Sequence, residues 1–169
     1  MKPLLAVLGA HGGAGARTVT ELLRIGGLPA VLVQAGDHLP PGAVPALVAR
    51  STAPGLTAAA DFLSQWHPDV PRPWLILVAD VPAPPPPPVR YRIRVIRGMA
   101  RGMVEVPFLW PLRAVDHVEE VATAKPVARA AARLCAALAS QPSHPTNARA
   151  AAEFARAGAG FDLASVEQS

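Results

Sequence analysis

The residues most able to do chemistry lie together near the start of the chain, in "AHGGAGART", positions 10–18. Successive glycines let a backbone turn sharply and aim several N–H groups at one anion. A helix that begins where they end adds the positive end of its dipole. Gly12, Gly13, Ala14 and Gly15 would line such a cradle, with Arg17 and Thr18 in the first helical turn. A complete phosphate loop adds a lysine for the β- and γ-phosphates and a Ser or Thr hydroxyl for magnesium. The lysine is missing from this stretch. Three readings stay open: a tight structural turn, a loop that still holds a phosphate-like anion, and a catalytic site.

A second unusual stretch is "PAPPPPPVRYRIRVIRGMARGM", residues 82–103. Its prolines predict a stiff polyproline II segment, read as a spacer before a docking site. Arg90, Arg94, Arg97 and Arg101 then recur at helical spacing and make one narrow stripe, with Val89, Ile93, Ile96 and Ala100 as the apolar stripe beside it. Residues 89–94 also alternate at period two, as a strand would. Helix is favoured, because parallel strands on either side need a crossover. Such a stripe grips the phosphates of a nucleic acid, binds an acidic protein patch, or is simply a solvated face.

The remaining groupings are weaker. The five histidines are scattered without metal-ligand spacing. Asp116, Glu119 and Glu120 beside His117 read as an exposed acidic turn, and no G-x-S-x-G nucleophile motif occurs. Trp66, Trp74 and Trp110 read as packing residues rather than a ligand cage.

The elements that must hold these residues follow from the apolar pattern. Strands are expected at "LLAVLGA" (4–10), "AVLVQAG" (30–36), "PALVAR" (45–50), "WLILVAD" (74–80) and "MVEVPF" (103–108). Helices are expected over 16–25, 56–66 after a turn at Pro54-Gly55, and from Pro126 to about 140, with a last short helix from Thr146 or Asn147 to near Gly158. Apolar strands alternating with helices predict a three-layer α/β domain with a mainly parallel sheet. Ligands of such sheets sit at the carboxyl ends of strands, where the glycine cluster lies.

"AHGGAGART" resembles the deviant Walker A of the ParA/MinD family of ATPases, K-G-G-x-G-K-[ST]-[ST]. Gly12, Gly13 and Gly15 match the family's glycines, and Thr18 matches the last hydroxyl. His11 takes the place of the signature lysine, Ala16 that of the phosphate-binding lysine, and Arg17 that of the magnesium-binding hydroxyl. "VPALVARSTAPGLTAAADFL", "LILVAD" and the segment from "VEVPF" to "LCAAL" resemble later parts of that fold. The resemblance makes Asp80 a base-contacting residue and implies a P-loop NTPase-like domain over residues 1–142, trimmed relative to ParA and MinD. Residues 143–169 would be a short helix and tail. The family's acid-tipped Walker B strand has no counterpart before "ALVAR"; Asp37 is the one carboxylate in that interval that could stand in as a metal ligand. The chain also resembles uncharacterised actinobacterial proteins that open A-H-G-G-A-G without the lysine.

The resemblance implies a pseudo-ATPase acting through protein contacts, in partitioning, positioning, or secretion or conjugation. ATP or ADP is the only cofactor to consider, and a homodimer across the nucleotide face is possible. The alternatives are a nucleotide sensor without turnover and a nucleic-acid module using the arginine stripe. Loss of lysine, hydroxyl and acid together removes most of the charge stabilisation that phosphoryl transfer needs, so an enzyme is the less favoured reading. The 169 residues, 51% hydrophobic and 17% charged, suffice for one domain with a core. A net charge of +4 is modest, and weak evidence for a nucleic-acid partner. No run is long enough for a membrane span, and the single cysteine, Cys135, fits a reducing cytoplasm.

Overall fold

The computed structural model describes residues 2–34 and 36–140. Five short strands form one sheet: β1 (Leu5–Gly9), β2 (Ala30–Val33), β3 (Val44–Arg50), β4 (Trp74–Val78) and β5 (Gly102–Val106). Every neighbouring pair is parallel, in the order β2-β1-β3-β4-β5. Four helices cover it: α1 (Ala16–Ile25), α2 (Ala53–Ser64), α3 (Pro87–Arg97) and α4 (Lys125–Ala139).

The unbroken apolar runs have a direct cause, because side chains alternate and both sheet faces are covered. Leu5, Val7, Ala46, Val48, Trp74 and Ile76 share one core with Leu22, Leu23 and Leu134 of α1 and α4. Ala6, Leu8, Leu47, Ala49, Leu75 and Leu77 share the other with Leu56, Leu63, Val89 and Ile93 of α2 and α3. The expected three-layer α/β arrangement is present, with a wholly parallel sheet.

Between β2 and β3 the described residues contain neither helix nor strand; Leu39 and Ala43 fill the α2/α3 face there instead. Strand β3 therefore lies directly beside β1, with Val7 opposite Ala46 and Gly9 opposite Val48.

Strands β2, β4 and β5 end two or three residues before the expected positions, and two helix starts also differ. Helix α2 starts at Ala53, so Pro54-Gly55 is its first turn rather than a preceding one. Thr52 caps it, its Oγ1 accepting from the Gly55 N–H at 3.2 Å, and proline is tolerated where no intrahelical N–H bond is lost. The proline tract also ends inside a helix. Pro86 is extended at φ −63°, ψ 159°, and Pro87 and Pro88 then open α3. The segment 89–97 is helix, not strand, whereas Arg101 lies past the end of α3 and is not on its stripe. Residues 110–114 and 118–121 form 3-10 turns; in the second, His117 and Glu120 make a reciprocal capping box.

Helix α1 ends where α4 crosses it. A Cβ on Gly26 would fall on the Cys135 sulfur and 2.8 Å from the Ala131 carbonyl. The Cys135 thiol donates to the Leu23 carbonyl at 3.4 Å. Burial pushes its pKa up, partly offset by the Leu28 backbone and the Lys2 charge. The last helix expected from Thr146 or Asn147, and all of 143–169, lie outside the described residues.

Candidate functional site

Strand order places the candidate site. The chain leaves β1 to one side to build β2 and returns on the other side as β3, so the loops after β1 and β3 diverge from a switch point. In open parallel sheets that divergence is where ligands bind. The loop after β1 is the glycine cluster, and the loop after β3 begins at Arg50.

The glycine loop is shaped by two left-handed residues, Gly13 at φ +72° and Gly15 at φ +92°, a region that side chains with a Cβ resist. Ala14, between them, turns its methyl into the core and is 2% exposed. Gly15 is the N-cap of α1; no side chain caps this helix, and no acid lies in its first turn. A Cβ on Gly12 or Gly13 would stand in open space, so nothing in the fold blocks the approach to this turn, whose Ala14 N–H donates to the His11 carbonyl at 3.3 Å. Arg17 is exposed and Thr18 half-buried. Gly12, Gly13, Ala14, Gly15, Arg17 and Thr18 are thus grouped at one helix start.

Arg50, which the sequence reading did not single out, ties this loop to the rest of the sheet. Its Nε donates to the Gly13 carbonyl at 2.9 Å, and its NH1 pairs with Asp80 Oδ1 at 2.6 Å. Its backbone N–H donates to His11 Nε2 at 3.2 Å, while His11 Nδ1 lies 2.9 Å from the Gly12 carbonyl. One neutral tautomer satisfies both contacts: Nδ1–H donates to Gly12, and the bare Nε2 accepts from Arg50. That assignment follows from the partners. The tips of β1, β3 and β4 are therefore joined by one arginine. The signal in the sequence was a lone charge ending the otherwise apolar "VPALVAR".

Gly55 makes this contact possible. A Cβ there would meet the Arg50 carbonyl oxygen and come within 3.1 Å of His11 Nε2. Ser51 completes the junction, its N–H donating to the Val78 carbonyl at 3.0 Å. A shallow cleft of about 260 Å³ opens beside Asp80, walled by Thr52, Pro84, Pro85 and Val89.

The side chains around the glycine turn are a poor set for a magnesium–nucleotide complex. Magnesium needs oxygen donors, and neither Arg17, just after the glycine turn, nor Arg50, bonded to it, offers one. Asp80 is held by Arg50. Asp37 is engaged elsewhere, its Oδ2 accepting from the Gln34 N–H at 3.0 Å in its own turn. Among the described residues, no three His, Cys, Asp or Glu side chains converge to hold a metal ion. The donor set does not fit a magnesium–nucleotide complex.

Arg90, Arg94 and Arg97 lie apart from this site, on α3, which packs against α2. No helix among the described residues is long and apolar enough to cross a membrane.

Sheet order and the glycine turn at its switch point define a doubly wound parallel α/β domain. Set against protein-family models, curated proteins and solved structures, the chain finds no match in any of the three.

Proposed function

We propose that the chain is a ParA/MinD-like, P-loop NTPase-like pseudo-ATPase that does not hydrolyse nucleotide and works through contacts with other proteins. The supporting observation is Arg50: a cation ends the strand beside the glycine turn, bound to both Gly13 and Asp80. Phosphoryl transfer needs positive charge on the phosphates and a carboxylate on the metal. Ala16 supplies no charge, Arg17 cannot ligate a cation, and Asp80 is already paired. What remains is a rigid scaffold with a preformed turn. Roles in partitioning, positioning, or secretion or conjugation fit such a scaffold equally well.

The test is phosphate release from ATP by the purified chain, with and without magnesium. The expected rate equals that of buffer alone. Turnover abolished by Gly13→Asp would overturn the proposal, and aspartate is a fair probe because it tolerates left-handed backbone better than most residues.

A second reading, a nucleotide-binding sensor without turnover, has one observation in its favour. The glycine turn borders open space at Gly12 and Gly13, beside the uncapped start of α1. It predicts nucleotide binding that is indifferent to magnesium and lost in Gly13→Asp.

A further inference from the structure

The outward face of α3 differs in kind from the rest of the surface. The helix carries four arginines, at 90, 92, 94 and 97, and no acid in its first turn. Val89, Ile93 and Ile96 turn inward and are buried. Arg92 turns sideways to α2, its NH1 donating to Thr57 Oγ1 at 3.1 Å and weakly to the Ala53 carbonyl at 3.4 Å. The other three arginines are exposed, and their side chains find no hydrogen-bond or ion-pair partner among the described residues.

Beside that row runs a second one. Tyr91 and Val95, four residues apart and so one above the other, are 66% and 54% exposed. Only four large hydrophobic residues are this exposed among the described residues, and two of them are here. A merely solvated helix face has no use for this pair, whereas tyrosine and arginine together are the residue types that anchor protein interfaces.

We infer that this face docks an acidic, amphipathic helix of another protein, with apolar residues four apart against Tyr91 and Val95 and a flanking row of carboxylates against Arg90, Arg94 and Arg97. Charge complementarity sets the partner's sign, because three guanidinium groups lie within about 10 Å of helix axis with no acid among the described residues paired to them. The apolar row sets its class. Val95 offers a nucleic acid neither a hydrogen bond nor a stacking plane, and one tyrosine makes no stacking platform for a single strand. The inference rests on the protein-contact reading above for its choice of a protein and on nothing in the nucleotide chemistry. The phosphate-release assay can therefore fail without touching it.

The experiment uses the full chain, fluorescently labelled, to select from a yeast-displayed library of randomised helical peptides. A short DNA duplex is titrated in parallel. Two variants serve as controls, Tyr91→Ser with Val95→Ser, and Arg90→Glu with Arg94→Glu and Arg97→Glu. All five positions are exposed, so both variants stay folded, and the glutamate variant, with two carboxylates at the carbonyl end of α3, melts no more than about 5 °C below the parent. The expected helices carry apolar residues at i and i+4 beside a row of Asp or Glu, and bind each variant at least about tenfold more weakly than the parent. Selection that yields no helix able to tell the parent from either variant overturns the proposal. So does duplex binding lost in the arginine variant and retained in the Tyr91/Val95 variant, which would give the face to nucleic acid.

Discussion

Arg50 and the arginines of α3 are the same residue type put to opposite uses. Arg50 ends a buried strand and turns its charge inward, onto a backbone carbonyl of the glycine loop and onto Asp80. Arg90, Arg94 and Arg97 stand on a helix whose apolar side is already satisfied by the core, and their charges point away. The first arrangement uses a cation to close a loop where phosphate chemistry would need one free. The second leaves cations free where the fold does not need them. Position relative to the core, not residue type, separates a latch from a docking face.

The comparison breaks most readily at Gly55. Gly55→Ala drives a methyl into the Arg50 carbonyl and against His11, and nearby backbone must shift to admit it. We expect a loss of about 2–3 kcal/mol in urea unfolding. Next is Arg50→Ala, which removes the bond to Gly13 and the pair with Asp80. The side chains of that pair are 36% and 49% exposed, so the ion pair itself is discounted heavily. A loss of about 1–1.5 kcal/mol is expected, most of it from the hydrogen bond. By contrast, joint replacement of Arg90, Arg94 and Arg97 by glutamine, which removes the charges without reversing them, should leave unfolding within about 0.5 kcal/mol of the parent. If the α3 variant lost as much stability as Arg50→Ala, the distinction between latch and docking face would collapse.

Asp80→Asn sharpens the comparison further. It should cost no more than about 0.5 kcal/mol, and the cost should shrink as salt is raised, because a half-exposed pair is screened. The smallest effect at neutral pH concerns the other end of α1. Folding raises the pKa of Cys135, so the folded state favours its neutral thiol. Stability from this group is fully present below the thiol's unfolded value of about 8.5 and falls as pH rises through the higher folded value. Denaturation followed from neutral to alkaline pH should show that decline, and Cys135→Ala should remove it.

Much of the fold was legible because burial on both sheet faces leaves a plain mark. "LLAVLGA" and "WLILVAD" are short unbroken apolar runs of the length that suits strands covered on two sides. The start of α2 was misread because Pro54-Gly55 looks like a turn; the cap that overrides it is Thr52, whose hydroxyl satisfies the Gly55 N–H. Arg101 fell off its stripe because Gly98, the C-cap, ends the helix before the arginine spacing ends. In the candidate site the glycines were evident from local backbone chemistry. Arg50 was not, since its role depends on β3 lying beside β1, a pairing between residues far apart in the chain. The same holds for Gly55, whose lack of a side chain matters only because Arg50 passes over it.

The central claim is that the latched glycine loop does not take a magnesium–nucleotide complex. The most direct measurement is a thermal-shift titration of the purified chain with ATP, with and without magnesium. A ligand held only by the folded state, at about 100 times its Kd, adds about 2.7 kcal/mol. For a domain of this size that is a rise of several degrees. The account predicts no rise that depends on magnesium up to millimolar ATP. A rise of several degrees that requires magnesium and disappears in Gly13→Asp would contradict it.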